Sequence, residues 1–302
     1  MNTASHEAQW KASLEALPPY SPGGKIPAFF FAHGSPLLLY PKGLRNPMAD
    51  AIKVGARDGP HYQFLKYFGK SLVRKYSPKA IVVFSAHWET SKAIEVMDND
   101  SNELYYDYYG FPDEMYKIKF ESKGSSDVAQ RVVELMNASQ IPAKTLPNAR
   151  GLDHGVFVPF KIMFGESAPV PVVEVSIDSS LSPQRHIKIG QAIEKMRDEG
   201  ILVLSGGLSI HTFSDFTAWD PEKARAEIKA FEKAIVDAVE ESTTTTERNE
   251  RLKMVTKLPG FRMAHPREEH FIPLYVAAGA GSEGIASVIC KLHGALTIAF
   301  GA

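Results

Sequence analysis

The chain repeats one pattern: a short apolar run that stops at a polar cluster. "IPAFFFAHGSP" is apolar through Phe29, Phe30 and Phe31 and stops at His33, Gly34, Ser35 and Pro36. "KAIVVFSAHWET" runs through Ile81, Val82, Val83 and Phe84 to Ser85, Ala86, His87 and Trp88. "PVPVVEVSIDSS" ends at Asp178, and "GILVLSGGLSIHTF" runs from Ile201 to Leu204, breaks at Gly206-Gly207 and reaches His211. Such runs, bounded by turn residues, predict buried strands.

Helical spacing fills the intervals. "SSDVAQRVVELMNAS" sets Val128, Val132, Val133 and Met136 on one face, behind a cap at Ser126 and Asp127. "SPQRHIKIGQAIEKMRDEG" does the same with Ile187, Ile189, Ile193 and Met196 and stops at Gly200. In "PEKARAEIKAFEKAIVDAVEES" the stripe is Ile228, Phe231, Ile235 and Val239, and the following "STTTTERNERLK" reads as a solvated loop or frayed end. The final "IASVICKLHGALTIAF" predicts two strands around a turn at His293-Gly294, an antiparallel edge. Strands alternating with helices predict an α/β fold: a single domain with a central, largely parallel or mixed sheet flanked by helices on both faces. Its expected extent is 27–302, after an N-terminal extension (1–26) that ends in the breaker cluster from Pro18-Pro19 to Gly23-Gly24. In such sheets ligands bind beyond the carboxyl ends of the strands.

Composition narrows the partners. A hydrophobic content of 44% in 302 residues is enough for a sizeable core, and a net charge of −1 argues against nucleic acid or an anionic membrane as partner. With Cys290 as the one cysteine, no intramolecular disulfide can form, which suits a reducing compartment. The N-terminus lacks a basic start followed by an apolar block, and no apolar run nears the roughly 20 residues of a membrane span. A cytoplasmic protein is expected, of open oligomeric state.

The histidines fall into two groups. His6, His61, His186 and His265 sit in polar or flexible contexts, and His293 sits in a hairpin-like turn. The others lie at element boundaries. His33 and His87 end apolar strands, and His154 lies between Gly151 and Gly155. His211 follows the Gly-Gly break, and His270 lies in "PREEHFIPLYVAAGA", which reads as a helix start with Pro266 and two glutamates in its first turn. Imidazoles so placed point to a histidine-rich metal site with groups left over for proton transfer. No close-spaced pair such as HExxH names the metal; zinc, iron or copper suits such ligands, and thiolate ligation is excluded by composition.

Six motifs in order carry a family resemblance: "HGSP" (33–36), "SAHW" (85–88), "GFPDEMY" (110–116), "LDHG" (152–155), "SGGLSIH" (205–211) and "EEHFIPLYVAAGA" (268–280). Together they resemble the class III extradiol ring-cleaving dioxygenases, nearest to the 4,5-DOPA extradiol dioxygenase branch. The resemblance implies a non-haem Fe(II) held by His33 and His87, with His270 as third ligand and Glu268 and Glu269 beside it as competitors for that place. It implies His211 as the acid–base residue, and in some members as a resting-state metal ligand. His154 is implied to line the pocket as a second catalytic residue. Zn(II) is expected to replace iron readily in purified material.

Around that core, Asp153 is either an orienter of the site or a turn former, and Asp178 reads as a helix cap before "SPQRH". Tyr105, Tyr106, Tyr108 and Tyr109 form either a stacking wall for an aromatic ring or a self-packed loop, with Tyr105 and Tyr109 as substrate contacts. Arg150 is the candidate partner for a substrate carboxylate. The expected function is insertion of O₂ into a catechol, DOPA-like ring, opening it to a semialdehyde acid. Two rivals stand beside it: a zinc-dependent hydrolase using the same histidines to activate water, and a non-enzymatic binding protein on the same scaffold.

Overall fold

In the computed structural model, which describes residues 3–20 and 24–302, strands form at Ala28–Ala32 (β1), Ala80–Thr90 (β2), Ile94–Asp98 (β3), Ala143–Pro147 (β4), Val172–Asp178 (β5), Ile201–Gly207 (β6), Ala286–Leu292 (β7) and Ala295–Phe300 (β8). They make one sheet in the order β4-β3-β5-β2-β6-β1-β8-β7. Its centre, β5-β2-β6-β1, is parallel throughout. β1, β2 and β6 each open as an unbroken apolar run and β5 is interrupted only by the buried Glu174 and Ser176, because each strand is covered on both faces. β3 and β4 pair in parallel but β3 opposes β5, and the β7–β8 hairpin closes the other edge antiparallel to β1 around the expected turn. The sheet is therefore mixed, as the pattern predicted.

Helices span Thr3–Ala16 (α1), Pro47–Ala51 (α2), Pro60–Tyr76 (α3), Ser126–Ala138 (α4), His154–Phe164 (α5), Pro183–Ala192 (α6), Ala226–Glu240 (α7), Thr245–Met254 (α8), Pro259–Ala264 (α9) and Pro273–Ala280 (α10). The period of two in β1 sorts them. Phe29 and Phe31 point to one face, where Phe29 meets Phe68 of α3 at 5.5 Å and Phe31 meets Phe160 of α5 at 6.4 Å. Phe30 turns to the other face, where α10 lies across β6 and β1 and packs on α6. α1 is docked as well: Trp10 packs edge-on against Phe64 of α3 at 5.6 Å, with Leu14 and Leu17 buried beside it.

Several local expectations are corrected. Residues 245–254 form a helix, α8, where a loop was expected. Thr244 caps it by accepting the Glu247 N–H at 3.1 Å while Glu247 accepts back from the Thr243 N–H at 2.9 Å. Leu252 supplies its buried contact. The cap of α4 is Ser125, one residue before the expected position. Ser182 caps α6 in place of Asp178, whose carboxylate accepts from the Ser180 N–H and from Arg185. Gly206 and Gly207 stay within β6, and His270 precedes α10, which starts only at Pro273.

Three of the histidines set aside by sequence context, His61, His186 and His265, prove to be core residues. His61 donates from Nε2 to the Ala32 carbonyl at 2.9 Å, and His265 donates from Nε2 to the Ser209 carbonyl at 2.9 Å. His186 accepts the Asp178 N–H at Nε2, so its proton sits on Nδ1 and is donated to the Ser182 carbonyl at 2.8 Å. Burial pushes His61 and His186 down to about 4 and His265 down to about 3. His293 shifts the opposite way: burial works against its proton, but hydrogen bonding and charge from Glu232 outweigh it.

The sign of the pH dependence follows. An unfolded imidazole titrates near about 6.5, so below that pH the unfolded chain binds protons that three folded imidazoles refuse. Each costs up to about 1.4 kcal/mol of stability per pH unit between about 6.5 and its folded value. The contribution of His293 is already complete below about 6.5 and fades only as pH rises, so it does not offset this slope. The urea-unfolding midpoint should therefore fall steeply from pH 6.5 towards 4. A flat profile across that window would contradict the neutral state of these side chains.

Candidate active site

Because β1, β2 and β6 are parallel, their carboxyl ends share one rim, and a cavity of about 360 Å³ opens there. His33 follows β1 directly, and His211 lies a few residues beyond β6. His87 does not end its strand as expected. The β2–β6 ladder stops at Ser85, and a register shift against β5 between Phe84 and Glu89 lets β2 run on to Thr90. This irregularity re-aims the His87 side chain, as bulges beside active sites do. Ser85 holds it by accepting the His87 N–H at 3.1 Å.

His33, His87 and His270 converge. Their ring centroids lie 4.8–5.3 Å apart, and one nitrogen from each falls within 4.8 Å of the others. His87 Nε2 and His270 Nε2 stand 3.3 Å apart, whereas two nitrogens each about 2.1 Å from one tetrahedral metal would stand about 3.4 Å apart. Both ring nitrogens of His33 are buried without a hydrogen-bond partner among the described residues. A buried imidazole so left is costly unless its lone pair meets a cation. The donor set thus fits a divalent transition metal.

Electrostatics favour the neutral, ligating form. Burial, followed by repulsion from the neighbouring imidazoles, holds His33 and His270 well below the ordinary histidine range. Burial and His154 bring His87 down to about 4 against the pull of Asp153 and Asp107. Glu269 turns the His270 ring: it accepts from Nδ1 at 3.0 Å, which leaves Nε2 facing the cluster. Burial opposes its ionisation, yet His211 hydrogen bonding keeps its carboxyl below the usual range. Glu268 faces away and pairs with Arg262.

His211 stacks on His270, centroids 3.5 Å apart and planes 16° from parallel, with its Nδ1 3.6 Å from Glu269. A second group of potential ligands is therefore His211, Glu269 and His270, and a third is His87, Asp107 and His154. His154 opens α5, its backbone N–H and its Nδ1 both 2.8 Å from Asp107 Oδ1. The other Asp107 oxygen lies 3.6 Å from His87 Nδ1.

Behind these side chains the backbone approaches closely. A Cβ on Gly207 would stand 2.4 Å from the His270 carbonyl oxygen, and one on Gly155 would stand 2.6 Å from the His87 ring. Glycine is needed at both for the histidines to meet. Asp153 is fully buried; it accepts from Ser85 Oγ at 2.9 Å and from Arg150 at 2.9 Å, so it orients the wall and does not cap α5 through its side chain. Burial and the Asp153 charge push the Glu174 carboxyl well above its normal range, while Arg150 sits 2.9 Å from Asp153 and 3.5 Å from Glu174.

The expected substrate contacts fare differently. Arg150 does not line the cavity; its guanidinium is bound by Asp153 and sandwiched at 4.7 and 5.2 Å from Trp88 and Tyr105. Tyr105 and Tyr109 are 47% and 84% exposed and also lie off the wall. Tyr108 lines it instead, with Asp107 and Phe111. Tyr108 was among the tyrosines weighed from the sequence as a stacking wall, whereas Asp107 was not singled out as a site residue. Asp107 had one visible signal, as the single charge inside "LYYDYY". Trp219 and Phe213, which complete the wall, carried none.

A sheet with imidazoles on its carboxyl rim, convergent on a metal-sized gap, defines a metalloenzyme of the α/β class. The comparisons name the family. A family model described as the catalytic LigB subunit of aromatic ring-opening dioxygenase matches residues 27–301. A 4,5-DOPA dioxygenase extradiol-like protein of Schizosaccharomyces pombe is 46% identical, over 99% of this chain and 98% of its own length. A 4,5-DOPA dioxygenase extradiol of Beta vulgaris is 35% identical, over 84% of this chain and 87% of its own. A crystal structure of an uncharacterised Escherichia coli K12 protein superposes with a TM-score of 0.64 at 25% identity, covering 92% of this chain and all of that one. The chain belongs to the LigB family of class III extradiol dioxygenases and is a metal-dependent, aromatic ring-opening oxidoreductase acting on a small molecule and O₂. The hydrolase and binding-protein readings are thereby set aside. Among the described residues no helix is long and apolar enough to cross a membrane.

The geometry makes Glu269 testable as an orienting residue. Glu269→Ala should weaken metal affinity about 10–100-fold while leaving some binding, as loss of an outer hydrogen-bond partner does. Metal titration of the apoprotein checks this. A complete loss of binding would make Glu269 a direct ligand.

Proposed function

We propose that this is a cytoplasmic, iron(II)-dependent extradiol dioxygenase that opens a catechol ring to a semialdehyde acid, with residues 27–302 as its catalytic domain. His33, His87 and His270 would hold the metal. The observation that carries this reading is the pair of buried, unpartnered His33 nitrogens, within reach of His87 and His270 on the floor of the cavity. Cys290, buried and unpaired, supports the reducing compartment. Zinc would occupy the same donors without supporting the oxidation.

When bound, iron(II) supplies the electronic coupling between an electron-rich ring and dioxygen. The chain's own residues do the rest. His211 takes a catechol hydroxyl proton at Nε2, the nitrogen away from Glu269, and later returns it to a product oxygen; Glu269 steadies the imidazolium formed in between. His154, fixed by Asp107 through Nδ1, presents its remaining nitrogen as a polar contact for substrate or dioxygen. Tyr108, edge-on to His154 at 5.7 Å, and Phe111 give the ring an aromatic wall and exclude water. Both atoms of O₂ enter the product.

Substitutions separate the roles. His211→Ala should retain most of its iron while catechol-dependent oxygen uptake falls roughly 10²–10⁴-fold. His87→Ala should lose the metal, because two remaining ligands compete poorly with buffer. His154→Ala should keep iron and react more slowly. Elemental analysis beside an oxygen electrode reads both quantities. If His211→Ala is as metal-free as His87→Ala, His211 is a ligand and the proton-transfer role passes to His154.

A further inference from the structure

Away from its histidines the cavity is mostly apolar, with Ser35, Asp107 and Tyr108 as its polar side chains. Leu37, Met48, Ile52, Val54, Phe213 and Trp219 form the wall facing the imidazole cluster. Met48 and Phe213 are also 36% and 50% exposed, so the apolar surface continues from the floor to the mouth. Among the described residues no lysine or arginine lines the cavity. Lys53 lies in the adjoining groove, which shares only Val54 and Trp219 with it. Arg150, the cation expected to serve a substrate carboxylate, is bound by Asp153 and packed between aromatic rings. The one acidic side chain on the wall, Asp107, is already engaged by His154 and His87 and is not free for an ammonium group.

Resting on the catechol-cleaving reading above, we infer that the ring taken by this site carries an uncharged, apolar substituent, lodged among Met48, Ile52, Val54, Phe213 and Trp219, and not a charged amino-acid side chain. A carboxylate brought among these side chains would give up water and find no lysine or arginine in return, which is the situation enzymes use to reject a substrate. An alkyl chain would instead gain by leaving water at every carbon, and a longer one could follow the exposed Met48 and Phe213 out through the mouth.

The test uses the iron(II)-reconstituted protein and four catechols: 4-propylcatechol, its near-isostere 3,4-dihydroxyphenylpropanoate, dopamine and L-DOPA. Oxygen uptake should give kcat/KM for 4-propylcatechol about 10–100-fold above each charged compound. Anaerobic calorimetry should give dissociation constants in the same order. Any charged catechol matching or exceeding 4-propylcatechol in affinity and kcat/KM overturns the inference and leaves ring cleavage intact. Oxygen uptake with none of them, alongside the same order of affinities, overturns the ring-cleavage reading and leaves the specificity standing. Met48→Arg, at a partly exposed site that tolerates the change, should shift the ratio about tenfold towards the propanoate. An unchanged ratio would remove this wall as the specificity determinant.

Discussion

Three buried imidazoles held nitrogen to nitrogen can persist only uncharged. Two protonated rings under 5 Å apart would repel by about 3–4 kcal/mol at an effective dielectric near 20, before any desolvation is counted. The arrangement therefore keeps its lone pairs available, and the rest of the site works to hold it. Parallel pairing of β1, β6 and β2 delivers His33 and His87 to one rim. The His270 carbonyl accepts the Leu208 N–H at 2.8 Å, stitching the third ring to the end of β6. Removing side chains at Gly155 and Gly207 is what lets these pieces close.

Around this cluster the carboxylates are divided by position. Glu269 and Asp107 touch imidazole nitrogens and stay anionic, so they can fix ring orientation and steady a transient positive charge. Asp153 and Glu174 lie one layer deeper, where Arg150 pairs with the first and burial pushes the carboxyl of the second well above its normal range. Breaking such a buried group typically costs about 3–5 kcal/mol, since one partner is left charged and dry. Arg150 belongs to the scaffold of the site and not to its ligand surface. The same logic makes His61 structural although it lines the cavity: its proton is committed to the Ala32 carbonyl, the residue before His33.

Much of the fold was legible because its strongest signals are local. The central strands are largely apolar runs, the amphipathic helices keep their stripes, and the terminal hairpin declares its turn at His293-Gly294. α8 was not legible because it rests on a capping box, on buried Arg248 and Asn249 and on Leu252 as its one buried apolar side chain, which leave little periodicity in a charged stretch. β3 and β4 are short and partly exposed, and only pairing beside β5 makes them strands.

By itself the sequence determined which side chains could do chemistry: histidines placed where apolar runs end stood out, because a core strand has no other reason to finish in an imidazole. It also determined the layered α/β class, since periodicities of 2 and 3.6 are properties of neighbouring residues. Tertiary structure alone decided which of those histidines meet, which carboxylate serves each, and that Tyr108 lines the cavity while Tyr105 and Tyr109 do not. Those choices hang on a strand irregularity at His87, on glycines that admit a backbone from another element, and on Arg150 finding Asp153 before any ligand. Each is a contact set by strand register and close approach, and such contacts between distant segments leave no trace in the order of residues along the chain.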